Sequence, residues 1–309
     1  MTTDDAAKLI LAGDIVAFPT ETVYGLGADA TNPVAIKKIF NTKGRPADNP
    51  LIVHISDAEQ LEYIVADIPE PAKKLMNTFW PGPLTLVFNK QQSVPDLVTA
   101  GLSTVAVRMP SHTVALELIR KSKPLVAPSA NKSGRPSPTR ASHVIADYGT
   151  VVPVLDGGPC VFGIESTVLD VTSEPYTILR PGSVSAEELK SVCNIEVVFS
   201  MNKGGANVKS PGIKYSHYKP DAKVVWFSGD EAGKVLRISH SENSTDKEHH
   251  ISFAGDFNVM ASMLYDLFRT ADSKGYDVIA IDTLPPDVKH PIIIALKNRI
   301  EKAVDKKDV

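Results

Sequence analysis

Residues 14–55 read DIVAFPTETVYGLGADATNPVAIKKIFNTKGRPADNPLIVHI, and the order of patterns within them decides the fold. Asp14 to Phe18 is a short branched and aromatic run that predicts a strand, and Phe18-Pro-Thr-Glu-Thr-Val-Tyr-Gly-Leu-Gly27 leaves it through a turn. Asn32-Pro33 opens a helix to about Phe40, because the fixed φ and missing N–H of proline suit the first helical position. A proline-bounded loop, Thr42 to Pro50, leads into a second strand, Leu51-Ile-Val-His-Ile55. Strand, helix and strand in this order predict an α/β fold.

Upstream, Thr3 is expected to cap a helix that carries Asp4 and Asp5 in its first turn and stops at Gly13. Downstream, strands are expected at Leu84–Phe88, Thr104–Arg108, Val151–Leu155, Thr167–Val171 and Tyr176–Arg180. Helical stretches fall near Pro71–Trp80, Thr113–Lys121 and Thr139–Ala146, so the sheet should be neither purely parallel nor purely antiparallel. Past Phe199 the run Asn202 to Gly212 is too polar and glycine-rich for an element interior. The division is therefore a first domain over 1–200, a linker over 201–220 and a small α/β domain over 221–309. In the last, Ala222–Phe227 and Val278–Ile281 are strands, and Asn258–Ala271 is an amphipathic helix with Met260, Met263, Leu264 and Leu267 on one face. Ser241 to His250 is polar and expected to be a surface loop.

Of 309 residues, 43% are hydrophobic and 22% charged, enough for a full core; a net charge of −3 rules out a general affinity for nucleic acid or anionic membrane. Any tRNA contact must be local or indirect. No signal or transit peptide is read at the N-terminus, and no apolar run approaches a membrane span. Two cysteines, Cys160 and Cys193, show neither disulfide-framework nor metal-ligand spacing, which fits a reducing, cytoplasmic setting.

The turn after Phe18 gathers the hydroxyls of Thr20, Thr22 and Tyr24 with the Glu21 carboxylate, and its glycines permit close backbone approach. Alone it is equally a capped strand end. Lys43 and Arg45 stand two apart on the next loop; arginine clamps phosphate oxygens bidentately and lysine meets them as a point charge, although an isolated pair is more often an ordinary solvated loop. His54 alternates away from Val53 and Ile55, and Arg108 and Arg180 end their strands. Leu125 to Asn131 runs into Ser129 and Asn131, followed by Lys132, Arg135, Ser137 and Arg140, a second set of donors suited to a triphosphate. Lys43, Arg45, Arg108 and Arg180 at loop or strand ends of an acidic protein predict a concentrated anion pocket. The sequence has no P-loop, no G-x-G-x-x-G after a strand, no H-E-x-x-H, no C-x-x-C and no G-x-S-x-G, so a nucleotide site must be non-standard.

Taken together, residues 18–27, Lys-Gly-Arg-Pro at 43–46, Asn-Pro-Leu-Ile-Val-His at 49–54, Trp-Pro-Gly-Pro-Leu-Thr at 80–85, Val-Ala-Val-Arg-Met-Pro at 105–110, Ala-Pro-Ser-Ala-Asn at 127–131, Gly-Ile-Glu-Ser-Thr at 163–167 and Leu-Arg-Pro-Gly at 179–182 resemble the YrdC-like family of threonylcarbamoyl-AMP synthases. Pro-Gly-Ile-Lys-Tyr-Ser-His-Tyr-Lys-Pro at 211–220 resembles the segment that marks its longer, two-domain branch. The resemblance implies a twisted mixed sheet with helices around a concave basic cavity, a linker over the cavity mouth and a Rossmann-like C-terminal domain. It implies synthesis of threonylcarbamoyl-AMP and pyrophosphate from L-threonine, bicarbonate and ATP with Mg²⁺, the product passing to a complex that transfers threonylcarbamoyl to tRNA. Residue by residue it places L-threonine near Thr22, His54, Arg108, Ala127 and Ser166, and ATP near Arg45, Asn49, Thr104, Ser129, Ser137, Arg180 and Tyr215. Lys43 and Arg45 are the expected catalytic cations, neutralising phosphate, and Tyr215 would close the mouth.

The chain departs from the pattern at Pro285 to Pro291, where relatives carry a glycine-rich turn before the last helix. Two other readings stay open at this point. One is an RNA-binding module of the same fold without turnover; the other is a carbamoyl-transfer relative, although such chains add cysteine pairs that are absent from this one.

Overall fold

The computed structural model describes residues 1–200, 218–241, 248–286 and 290–304. Helix α1 (Thr3–Leu11) starts one residue earlier than expected, because Thr2 is the cap and forms a reciprocal capping box with Asp5. Strands β1 (Val16–Phe18) and β2 (Gly25–Asp29) then form an antiparallel pair with Gly27 opposite Val16 and Gly25 opposite Phe18. Part of the turn expected after Phe18 is thus a strand, whose glycines carry no side-chain signal. The Phe18 ring fills the space they leave: a Cβ on Gly27 would lie 2.8 Å from Phe18 Cε1.

Asn32 caps α2 (Pro33–Lys43) by accepting from the Val34 and Ala35 amides, and Gly44 at φ 60° ends it. The helix runs past Phe40 and places Lys43 on its last turn, not in the loop. The chain continues through β3 (Ile52–His54), a 3₁₀ turn (Ala58–Tyr63), α3 (Glu70–Phe79), β4 (Leu84–Asn89), α4 (Asp96–Thr99), β5 (Thr104–Arg108), α5 (Thr113–Lys121), β6 (Leu125–Val126) and α6 (Ala141–Tyr148). Next come β7 (Thr167–Asp170), β8 (Tyr176–Arg180), α7 (Ala186–Cys193) and β9 (Val197–Phe199). The expected strand at Val151–Leu155 is not one. Pro153 has no N–H to give, and the segment makes only the bridge between Val154 and Ala17. In the other direction, α7 and β9 add to the expected elements, and Ser185 and Glu188 form a capping box at the start of α7.

These strands form one nine-stranded mixed sheet in the order β1-β2-β6-β3-β5-β4-β7-β8-β9. Parallel pairing joins β3 to β5, β4 to β7 and β8 to β9, and antiparallel pairing joins the rest. The strand ends His54 and Arg108 lie side by side in this register.

A second, all-parallel sheet of order β10-β13-β11-β12 follows, from β10 (Lys223–Trp226), β11 (Val235–Ser239), β12 (His250–Ser252) and β13 (Val278–Ile281). Helix α8 (Phe257–Ser273) connects β12 to β13, and α9 (Pro291–Ala303) follows. Of the expected loop 241–250, the described part ends with His250 inside β12. The expected linker segment 202–212 lies outside the described residues.

The core of the second sheet takes in Val23 and Ile164 from the first part of the chain, so the two layers share buried apolar surface. Gly163, at φ +69°, makes this approach possible: a Cβ there would lie 2.4 Å from the backbone of Ser262 on α8. Arg269 of α8 also pairs with Asp147 of α6 at 2.9 Å, both largely buried.

Candidate functional site

One cleft of about 690 Å³, counted out to its open mouth, lies across the ends of β3, β5 and β8 and the turns after β1 and β6. Of the residues anticipated for ligands, Thr22, Arg45, His54, Arg108, Ala127, Ser129, Ser137, Ser166 and Arg180 all line it. The separate signals of turn hydroxyls and strand-end arginines therefore converge in space.

Arg108 ends β5 and turns its guanidinium onto the turn after β1. Its Nη1 donates to Thr22 Oγ1 at 2.8 Å, its Nη2 to Glu21 Oε1 at 2.6 Å and its Nε to the Gly82 carbonyl at 3.1 Å. Thr20 in turn bonds Thr22 at 2.9 Å and donates to the Val23 carbonyl at 2.6 Å, which rigidifies the turn. These bonds orient the Arg108 fork without using every N–H, so a ligand carboxylate can still be met.

Arg180 ends β8 and is buried, with Nε donating to the Ser166 carbonyl at 3.1 Å and Nη2 to Ser166 Oγ at 3.0 Å. Ser166 Oγ also bonds Thr85 Oγ1 at 2.7 Å. Arg45 is half-buried and anchors on the Pro50 carbonyl at 3.0 Å. His54 is neutral, because burial, and then Arg108, push its pKa down to about 3. It adds polarity to the wall but no charge.

Lys43, expected among the phosphate-neutralising cations, is not among the residues that line the cleft. Its ammonium does not reach the cleft; it donates to the Ser129 carbonyl at 2.5 Å and to the Asn131 carbonyl. Burial first, and Arg45 next, push its pKa well below the ordinary lysine value. Because α2 extends to Lys43, the side chain points at the turn after β6 and braces it. Ser129 Oγ then donates to Asn131 Oδ1 at 2.5 Å, and Asn131 Nδ2 donates to the Arg135 carbonyl at 2.9 Å.

Asn49 and Thr104 are buried beside the cleft and do not line it. Their Asn49 Nδ2 and Thr104 Oγ1 atoms have no hydrogen-bond partner among the described residues. Tyr215 lies outside the described residues. Sequence reasoning missed Glu165 and Tyr218, which line the cleft as well. Glu165 was visible only as part of a polar turn, and its partner Arg299 stands 134 positions away, beyond any local pattern.

A family model described as "Telomere recombination", for the Sua5, YciO and YrdC proteins, matches residues 8–182. A second, described as "Threonylcarbamoyl-AMP synthase, C-terminal domain", matches residues 184–304. The threonylcarbamoyl-AMP synthase of Pyrococcus abyssi is 44% identical, covering 96% of this chain and 92% of that protein. The chain belongs to the threonylcarbamoyl-AMP synthase family. The Bacillus subtilis synthase is 42% identical over 96% of this chain and 91% of that protein. The crystal structure of P. abyssi Sua5 complexed with L-threonine superposes with a TM-score of 0.90 at 42% identity, covering 97% of this chain and 93% of that one. Synthases of this family are nucleotidyltransferase-type enzymes, and these likenesses do not favour the RNA-binding or carbamoyl-transfer readings.

Proposed function

We propose that the cleft binds ATP and L-threonine side by side and forms threonylcarbamoyl-AMP, the precursor of the threonylcarbamoyl modification of tRNA. The observation that carries this is the convergence of Arg45, Arg108 and Arg180 on one cleft among the hydroxyls of Thr22, Ser129, Ser137 and Ser166. The likeness to a relative crystallised with L-threonine supports the amino-acid half. The threonine carboxylate would meet Arg108, with Thr22, His54, Ala127 and Ser166 around the rest of the amino acid. Phosphates would lie against Arg45, Arg180, Ser129 and Ser137. Asn49 and Thr104, which carry buried and unpaired polar atoms, are the residues expected to gain partners as the nucleotide binds.

The chemistry needs no protein nucleophile. The threonine amine attacks the carbon of bicarbonate, water is lost, and an N-carboxylate results. One of its oxygens then bonds the α-phosphorus while the bond to the bridging oxygen of pyrophosphate breaks and pyrophosphate leaves. Arg45 and Arg180 would stabilise the charge on the transferring and leaving oxygens, and the rigid turns hold the reactants in line.

Among the described residues no group of three or more His, Cys, Asp or Glu could hold a metal, and Glu21 and Glu165 are already paired with arginines. The described residues therefore offer no protein cage for Mg²⁺; the ion would arrive with ATP, held by phosphate oxygens and water.

Among the described residues no helix is long and apolar enough to cross a membrane. Both cysteines are free and buried, the state expected in the reducing cytoplasm proposed for this protein. The test is pyrophosphate release from ATP with bicarbonate present, comparing L-threonine, L-serine and no amino acid. Release that depends on L-threonine and bicarbonate is expected; ATP binding without such release would favour a binding module instead.

A further inference from the structure

A carboxylate stands in the wall of a cleft built for anions. Glu165 precedes β7, lines the cleft beside Arg180 and is 7% exposed. Its carboxylate is fully engaged. Ser137 Oγ donates to Oε1 at 2.6 Å, the Tyr265 hydroxyl lies 3.1 Å from Oε2, and Arg299 Nε donates to Oε2 at 2.8 Å. Burial alone would raise its pKa, but Arg299 and then Arg180 outweigh that and hold it at about 2. Paired with Arg299 in this way, Glu165 is ionised at neutral pH.

Arg299 comes from α9, on the far side of the second sheet in sequence, and is the largest fully buried side chain of the described residues. Its guanidinium sits over the Tyr218 ring at 5.6 Å, and Tyr218 stacks on Tyr265 at 5.3 Å. Lys302, one turn further along α9, is pushed down to about 7 by burial and then by Arg299 and Arg180. Two basic groups of α9 thus approach the same wall.

A buried ion pair is a poor way to glue two domains. Removing two charges from water is costly, and apolar residues of similar volume commonly do as well or better. The charge itself is what an apolar replacement would not supply. Without Arg299, the ionised Glu165 would face the phosphates at short range in a medium that screens poorly.

We propose that Arg299 is a positioning residue for nucleotide binding: it cancels the charge of Glu165 and fixes that carboxylate on Ser137, so α9 sets the affinity of the cleft for the triphosphate. This rests on the adenylate-forming reading of the cleft. Arg299 touches no cleft surface itself and acts through Glu165.

The test is a charge cycle in the full-length protein, read by ATP affinity in direct titration and by the KM for ATP against kcat. Arg299→Met is expected to weaken ATP binding by about tenfold or more, with the loss mainly in KM. The double variant R299M/E165Q removes both charges and should recover most of that loss. A mere packing role predicts instead that the double variant binds ATP as weakly as Arg299→Met, and that result, or wild-type ATP affinity in Arg299→Met, overturns the proposal. Should Arg299→Met fail to fold, Glu165→Gln alone decides: it keeps an acceptor for Ser137, removes a negative charge and should bind ATP at least as tightly, so weaker binding overturns the idea. The adenylate reading fails separately, by absence of threonine-dependent pyrophosphate release in the wild type, while the ATP titrations stay readable.

Discussion

Arg108 and Glu21 form a buried ion pair, Nη2 to Oε1 at 2.6 Å, with side chains 4% and 5% exposed. The carboxylate holds the guanidinium against Thr22 at the end of the cleft assigned to threonine. Glu21→Ala would leave Arg108 buried without its counter-ion, at a cost of about 3 kcal/mol, and free it to turn away from Thr22. Urea unfolding should register the loss, and the KM for threonine should rise more than that for ATP. A wild-type KM for threonine in a folded Glu21→Ala variant would contradict this.

Lys43 should behave as a brace. Lys43→Met leaves the Ser129 and Asn131 carbonyls without their buried donor, which costs about 1–3 kcal/mol and lowers Tm by several degrees. ATP use falls as a consequence, because the Ser129 turn loosens. Lost ATP use at unchanged Tm would instead return Lys43 to the phosphates.

These two residues mark what the sequence made legible. The strand-end arginines could be placed because a strand fixes where its last side chain points, and Arg108 and Arg180 reach the cleft from β5 and β8. Lys43 was harder to place: α2 runs to Lys43, and about 100° of rotation per residue decides which way its ammonium points. Strand β2 was hidden because Gly25 and Gly27 pack by having no side chain. The link between Glu165 and Arg299 was beyond reach, since only folding brings α9 to the cleft.

Acidification should destabilise the protein through His54 first. Its pKa falls from an ordinary 6.5 to about 3 on folding, so below 6.5 the unfolded chain binds a proton that the folded chain refuses until about 3. Stability is therefore lost as pH drops through that window. Glu165, held at about 2 against an ordinary 4.5, contributes stability that is lost only between those lower values. His54→Phe should flatten the slope of unfolding free energy between about pH 7 and pH 5, and a slope equal to wild type would assign it to other groups.

Gly163→Ala tests the docking of α8. Its φ of +69° and the 2.4 Å approach to Ser262 leave no room for a methyl group. The variant should lose about 2 kcal/mol or more in denaturant unfolding. Unchanged stability would mean that α8 can move away from the loop before β7 without penalty.

The central claim is that one cleft joins threonine, bicarbonate and the adenylyl group of ATP. The most direct measurement is mass spectrometry of the nucleotide product formed with ¹³C-labelled bicarbonate and L-threonine. The account predicts an adduct that contains threonine, one labelled carbon and AMP, formed together with pyrophosphate and lost when any of the three substrates is withheld. Nucleotide turnover that yields only free AMP or ADP, with no labelled adduct, would contradict it.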